Sequence, residues 1–220
     1  MMHITIQNII KIENEIKQNL SNLNITNLPK IIAVSKTFKI DKILPLIDYG
    51  HINFGENKIQ EAVDKWTDIK LTNPKIKLHM IGKLQTNKVK FAVKLFDYIH
   101  SVDNKKLAQK IADEQKKISK KIKIFVQVNI GDEEQKSGVK KNDVKDLISY
   151  CKKINLDVVG LMCLPPADDN SYFYFNEMDL LNKSFGLSEL SMGMSSDYIE
   201  ATKNSATYLR IGSSIFGKRI

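Results

Sequence analysis

Eight short runs of apolar or β-branched residues recur along the chain, separated by segments with helical periodicity. The runs span residues 31–35, 52–55, 78–81, 98–102, 122–129, 158–162, 190–194 and 208–211. Several are apolar nearly throughout, which is typical of parallel strands covered on both faces. Eight strands separated by helices favour an α/β fold, a parallel (β/α)8 TIM barrel, although periodicity alone does not separate a barrel from a doubly wound sheet.

The segments between the runs predict helices with recognisable ends. They cover residues 41–49, 56–70, 86–96, 104–119, 142–154, 171–185 and 197–204, and an extra helix over 4–19 precedes the first strand. We expect Asp41 to begin the second helix and Gly50 to end it. Asp197 followed by Glu200 resembles a capping box. Because 42% of the residues are hydrophobic, the chain can bury one large core, and we predict a single domain over residues 1–220.

The charge balance is unusual, because 34 basic residues against 25 acidic ones include only two arginines, Arg210 and Arg219. Proteins that read nucleic-acid sequence rely on the bidentate guanidinium fork, so this composition argues against that function. A lysine surface that follows phosphates stays open as an alternative. The lysine-rich stretch 105–123 has no aromatic residue to stack on bases, so we interpret it as a solvated face and predict no nucleic-acid partner.

The sequence also bounds the compartment and the possible cofactors. It contains no apolar stretch of about 18 residues and no signal-like apolar block near its start, so we expect no membrane contact. Two cysteines, Cys151 and Cys163, imply no disulfide framework, and we predict a cytoplasmic protein. We expect Cys163 to be a buried thiol. The four histidines lack metal-ligand spacing, which argues against a zinc site: His3, His51, His79 and His100.

Lys36 is the first candidate for chemistry, because it directly follows the buried run 31–35. Active sites of TIM barrels lie at the C-terminal ends of the strands, so its amine is expected at the barrel mouth. Loss of solvation there lowers the pKa of a lysine, and a neutral amine can form a Schiff base with a carbonyl. The alternative is a lysine that caps a strand end and extends to water.

Two clusters of small residues end the last two strands. Residues 191–195 and 212–214 offer hydroxyls and free backbone N–H groups, which predict a phosphate cradle. Tight packing between strand and helix is the alternative. Arg210 stands beside the second cluster, where a permanent, directional charge would serve a bound ligand; a salt-bridged arginine in the barrel wall is the other interpretation.

Taken together, these features resemble the pyridoxal phosphate homeostasis family, also called YggS or PROSC-like proteins, which is related in fold to the barrel domain of alanine racemase. The matching segments are residues 33–37, 54–57 with Gln60 and Glu61, 79–88, 101–103, 160–162, 190–195, 210–212 and 215–219. Two positions depart from the family pattern. Leu78 stands where Trp is common, which we expect to alter packing behind the cofactor ring. A Gly-Ser-Thr turn reads Ser205-Ala206-Thr207, which puts the geometry of that turn in question.

The resemblance implies that Lys36 holds pyridoxal 5'-phosphate (PLP) as a Schiff base and that Arg210 faces the pyridine nitrogen. It further implies that Ser195, Gly212 and Ser213 hold the phosphate. Asn57 is expected near the cofactor, and we count Ser191 among the cofactor-binding residues. No catalytic residue is predicted.

An Arg partner cannot accept a proton, so the ring nitrogen stays unprotonated and the cofactor is a weaker electron sink. The sequence ends at Ile220, directly after the last strand, so we expect no second domain to supply another proton-transfer group. We therefore predict a monomeric, non-catalytic carrier that limits free PLP or delivers it to apo-PLP enzymes. A racemase-like enzyme acting on a small amino acid, and a lysine-driven binder of nucleic acid or anionic surfaces, are the alternatives.

Overall fold

The structure, a computed structural model, describes residues 2–21, 27–166 and 170–218. Parallel strands form a closed barrel in sequence order. The strands are β1 Lys30–Val34, β2 Asn53–Glu56, β3 Lys77–Met80, β4 Tyr98–Val102, β5 Lys123–Val128, β6 Asp157–Cys163, β7 Glu189–Ser191 and β8 Tyr208–Ile211. β8 pairs with β1 and closes the barrel, with Arg210 opposite Ile32. The predicted (β/α)8 barrel is confirmed, and the doubly wound sheet is excluded.

Helices surround the barrel, and three of them begin with a single turn of 3₁₀-helix, over residues 40–42, 86–88 and 141–143. The α-helices are α1 Ile4–Ser21, α2 Leu44–Asp48, α3 Ile59–Thr72, α4 Val89–Leu95, α5 Lys105–Lys117, α6 Val144–Lys153, α7 Ser171–Ser184, α8 Tyr198–Lys203 and α9 Ser213–Phe216. α1 is the predicted extra helix. It buries Ile9, Ile12 and Ile16, whose spacing places them on one face. None of the helices in the described part of the chain is long and apolar enough to span a bilayer.

Two helix starts differ from the sequence-based expectation. Asp41 lies inside the 3₁₀ turn that precedes α2 and does not cap it. Asp197 stands at the N-cap of α8 but makes no side-chain capping bond; its carboxylate accepts instead from the backbone N–H of Met194 at 2.6 Å. The prediction of a capping box is therefore wrong, because the carboxylate of Asp197 binds the loop after β7 rather than the first turn of the helix.

The core has two layers, because successive side chains of a strand point to opposite faces of the sheet. The larger layer lies between barrel and helices, and Leu78 is fully buried in it. The smaller layer fills the barrel interior around Phe125 and Tyr208. The neighbour of Leu78, His79, is the residue of β3 that faces inward and stacks on Tyr98. The effect of Leu78 on packing behind a cofactor ring stays a prediction.

Strand β7 is shorter than the predicted run 190–194, because the chain leaves the sheet after Ser191. Gly193 has a φ of +85°, a left-handed conformation that favours glycine, and an added Cβ would lie 2.6 Å from the Cβ of Ala201. Because the chain leaves the sheet early, residues 194–196 lie over the mouth of the barrel.

Ser205 lies in the turn before β8, the turn that differs from the family pattern. It adopts a left-handed φ of +66°, so this turn keeps a geometry that glycine would adopt freely.

Candidate functional site

A cavity of about 660 Å³ opens at the C-terminal ends of the strands. Its volume lies within the usual range for small-molecule sites. Most of the residues predicted to bind a cofactor line this one cavity: Lys36, Asn57, Ser195, Arg210, Gly212 and Ser213. Ser191 is the exception. It is fully buried beneath the cavity, where it contacts Arg210. The fold thus brings side chains from the first, second, seventh and eighth strands of the barrel to one place.

The turn after β1 holds Lys36 at the cavity, half-buried. Thr37 follows with a left-handed φ of +68°, which is uncommon for a residue other than glycine and marks a strained backbone. The N–H of Thr37 donates to Oε1 of Glu61, and Ser35 Oγ donates to Oε1 of Glu56 at 2.7 Å. Anchors on both sides of Lys36 therefore fix the point where its side chain leaves the backbone.

A buried ion pair supports this turn from below. Oε1 of Glu56 accepts from Nζ of Lys65 at 3.0 Å and from Nε1 of Trp66 at 2.9 Å. Lys65 also donates to the carbonyl of Ser35 at 2.9 Å and to Glu61 at 3.0 Å. Sequence reasoning assigned no role to these residues. The available signals were the spacing of Glu61 and Lys65 on one helix face and the acidic end of a buried strand.

The opposite wall of the cavity carries a cluster of hydrogen-bond donors. The backbone N–H groups of Gly212 and Ser214 both point at Oγ of Ser195, each at 3.3 Å. Gly212 packs closely against β1, since an added Cβ would lie 3.3 Å from the carbonyl oxygen of Val34. Two N–H groups and a hydroxyl therefore meet in one corner of the cavity, and oriented backbone donors are the usual components of an anion-binding concavity.

Arg210 forms part of the cavity floor and is 4% exposed. Its Nη1 donates to Oγ of Ser191 at 2.8 Å and its Nη2 to the carbonyl of Cys163 at 2.7 Å. Burial lowers the pKa of the guanidinium, which nevertheless stays charged at ordinary pH. In the described part of the chain no carboxylate forms an ion pair with it, so the structure does not support the salt-bridged interpretation.

Asn57 offers an unused acceptor at the same cavity. Its Oδ1 is buried and has no hydrogen-bond partner among the described residues. Gly82 presses directly on the Asn57 backbone, because an added Cβ would overlap its carbonyl oxygen. A buried polar atom without a partner is costly, so a ligand that donates to it would be stabilised there.

Cys163 is fully buried, as predicted, and burial raises the pKa of its thiol to about 12. The thiol is therefore neutral and unreactive, and only the carbonyl of this residue takes part in the site, as the acceptor for Arg210. His79 and His100 lie in the barrel interior, 3.0 Å apart between Nδ1 and Nε2. Sequence reasoning excluded them as metal ligands and did not foresee their contact with each other.

Comparison with known proteins gives consistent matches across the chain. Residues 13–219 match the family described as "Alanine racemase, N-terminal domain". The chain is 36% identical over 203 residues to the "Pyridoxal phosphate homeostasis protein" of Aquifex aeolicus, covering 88% of each chain. It is 33% identical over 201 residues to the protein of that name from Pasteurella multocida, covering 86% of each.

A solved structure also resembles the chain over most of its length. PipY of Synechococcus elongatus, determined with PLP bound, superposes with a TM-score of 0.81 at 30% sequence identity. The match covers 92% of this chain and 100% of PipY. The likeness therefore extends over the whole barrel and is not confined to the strand ends.

Proposed function

The chain belongs to the alanine racemase N-terminal domain family and, within it, to the pyridoxal phosphate homeostasis proteins, and from this premise we propose that it binds PLP reversibly at the barrel mouth. Its role is in the homeostasis of this cofactor. The observation that carries the proposal is the single cavity shared by Lys36, Arg210 and the donor cluster around Ser195. PLP needs an amine for its aldehyde and donors for its phosphate, and both are present.

The residues of the cavity fit the cofactor. When bound, PLP supplies a reactive aldehyde and an electron-withdrawing ring. Lys36 would hold the cofactor through its amine, which can condense with an aldehyde to a Schiff base with loss of water, a link that water or another amine reverses. Ser195 with the N–H groups of Gly212 and Ser214 holds the phosphate. Asn57 Oδ1, which has no hydrogen-bond partner among the described residues, accepts from a donor group at the ring edge.

We propose that the protein holds the cofactor without transforming amino acids. Racemisation needs proton transfer on both faces of the reacting carbon. Among the described residues that line the cavity there is no Asp, Glu, His, Cys or Tyr, and the ionisable side chains besides Lys36 are Arg210 and Lys218. Arg210 cannot accept a proton at the ring nitrogen. These features support a carrier that limits free aldehyde or passes it to apo-enzymes.

A cytoplasmic location and a monomeric state belong to the same proposal. Both cysteines are buried and unpaired in the structure, which supports a reducing compartment. In a monomer the cavity stays open to solvent, as transfer of the cofactor to an acceptor enzyme requires.

The test is reduction of the PLP-loaded protein with borohydride, which makes a Schiff base permanent. We expect a visible absorption band that disappears on reduction, and peptide mapping should place the label on Lys36. Lys36→Ala should lose both the band and the label. Lys39→Ala is the matched control, since Lys39 is exposed three residues later and lies outside the cavity. A label retained by Lys36→Ala, or racemisation of alanine or serine by the isolated chain, would contradict the proposal.

A further inference from the structure

A continuous chain of hydrogen bonds, buried except for the last one, runs from the cavity floor into the barrel interior. Arg210 Nη1 lies 2.8 Å from Ser191 Oγ, which lies 2.9 Å from Nδ1 of His100. Nε2 of His100 lies 3.0 Å from Nδ1 of His79. Nε2 of His79 lies 3.2 Å from Oδ1 of Asn53 at the far end. All five side chains come from different, non-neighbouring parts of the sequence, and the barrel alone aligns them.

The chemistry of the first residue sets the direction of every bond in the chain. A guanidinium can only donate, so Oγ of Ser191 accepts from Arg210. The hydroxyl proton of Ser191 then has Nδ1 of His100 as its acceptor. A neutral imidazole with an accepting Nδ1 carries its proton on Nε2, so His100 donates to His79. By the same rule His79 donates from Nε2 to the Asn53 carbonyl oxygen. The reverse direction would leave the Ser191 hydroxyl proton buried without an acceptor.

Both imidazoles are held neutral and in fixed planes. Desolvation by burial keeps the pKa values of His79 and His100 well below the ordinary value. His100 stacks on Phe125, with ring centroids 4.2 Å apart and planes 20° from parallel. His79 stacks on Tyr98 at 4.4 Å and 11°. Because packing fixes both rings, the acceptor presented to Ser191 is fixed as well.

We infer that Ser191, His100 and His79 are positioning residues, which orient the Arg210 guanidinium toward the cavity through a one-directional chain of Nε2–H tautomers. Cys163 restrains the other guanidinium nitrogen, so Arg210 is held at two points. That Arg210 faces the ring of the cofactor rests on the proposed function. The tautomers and the direction of the hydrogen bonds do not depend on it. A guanidinium fixed in this way would present a positively charged hydrogen-bond donor to the ring nitrogen and would not transfer its proton to it at ordinary pH.

The chain offers a matched pair of serines for the test. Ser191→Ala removes the bond that receives Arg210. Ser101→Ala removes a hydroxyl that is equally buried but has no hydrogen-bond partner among the described residues. Both changes delete one oxygen from the interior, so a difference between the two variants reports the hydrogen bond rather than the loss of packing. Ser191→Cys keeps a hydrogen-bonding group of similar size at this position and should retain part of the wild-type affinity for PLP.

The first measurement needs no cofactor. In a long-range proton–nitrogen correlation spectrum of protein with isotope-labelled histidine, His79 and His100 should both show the neutral Nε2–H pattern at neutral pH. Single glutamine variants of each assign the signals. An Nδ1–H tautomer or a protonated ring at either position would overturn the direction of the chain.

The second measurement uses PLP. Ser191→Ala should weaken PLP binding about tenfold, the usual effect of losing a hydrogen bond to a charged group, and should shift the pH at which the visible band changes. Ser101→Ala should do neither, and Ser191→Cys should lie between. If Ser191→Ala binds PLP with the wild-type affinity and its visible band keeps the wild-type pH profile, the positioning role is overturned. If the wild-type chain binds no PLP, the proposed function fails, while the histidine spectrum still decides whether the chain of tautomers exists.

Discussion

Nζ of Lys65 lies 3.0 Å from Oε1 of Glu56, and both side chains are buried directly beneath the turn that carries Lys36. Burying two charges is favourable only when their remaining hydrogen-bonding capacity is satisfied. Here Ser35, Glu61 and Trp66 provide further bonds, so the pair is the centre of a network rather than an isolated bridge, although Oε2 of Glu56 has no hydrogen-bond partner among the described residues. The network joins β1, β2 and α3 and sets the origin of the Lys36 side chain.

Breaking this pair from one side should be strongly destabilising. Lys65→Met leaves Glu56 charged and buried, and we expect the free energy of unfolding to fall by about 3–5 kcal/mol. The control is Lys110→Met, because Lys110 pairs with Glu114 at the surface of α5 and its side chain is 41% exposed. That change should alter stability by less than about 1 kcal/mol. Urea unfolding measures both, and equal effects would contradict the role of the buried network.

Ser195→Ala should discriminate between ligands with and without phosphate. The variant removes the hydroxyl toward which the N–H groups of Gly212 and Ser214 point. We expect the Kd for PLP to rise about tenfold or more, because hydrogen bonds to a charged group are among the stronger ones. The Kd for pyridoxal, which lacks the phosphate, should stay unchanged. A parallel loss for both ligands would show that Ser195 does not act on the phosphate.

Gly160→Ala should disrupt the barrel where β6 meets β7. Gly160 pairs with Glu189 between β6 and β7, and an added Cβ would overlap the Glu189 carbonyl oxygen. Because that oxygen belongs to the backbone, the strands must separate, and we expect a loss of about 3 kcal/mol or more. Gly186→Ala serves as the comparison. It meets no atom within 4 Å but has a φ of +62°, so about 1 kcal/mol is expected. Thermal unfolding of the two variants tests the difference.

Stability should fall as the pH drops from about 7 to 5. Burial lowers the pKa of His51 to about 4, and those of His79 and His100 also lie well below the ordinary value. Below pH 6.5 the unfolded chain therefore binds protons that the folded chain does not, which favours unfolding as acidity increases. For His51 alone the loss between pH 7 and 5 is about 2 kcal/mol. His51→Gln should make the stability less dependent on pH over this range, and equal stability of the wild-type chain at pH 7 and 5 would refute the assignment.

The sequence alone predicted the eight strands closely, because parallel strands covered on both faces are apolar nearly throughout. It was wrong where a polar side chain had more than one possible partner. Asp197 follows the pattern of a helix cap, yet its carboxylate binds the backbone N–H of Met194 in the loop before the helix.

The sequence by itself determined the eight strands with helices between them and the places of Lys36, Ser195 and Arg210 at or near strand ends, because these depend on local pattern. Closure of the strands into a barrel, which periodicity alone does not separate from a doubly wound sheet, was decided by the tertiary structure. Only the tertiary structure decided which buried side chains lie beneath these residues and contact one another. Ser191 lies beneath the cavity rather than on its wall, and His79 and His100 meet although they are 21 residues apart. Such contacts depend on which face of each strand turns inward and on the register between strands. These are set by closure of the barrel, and the local pattern of residues does not record them.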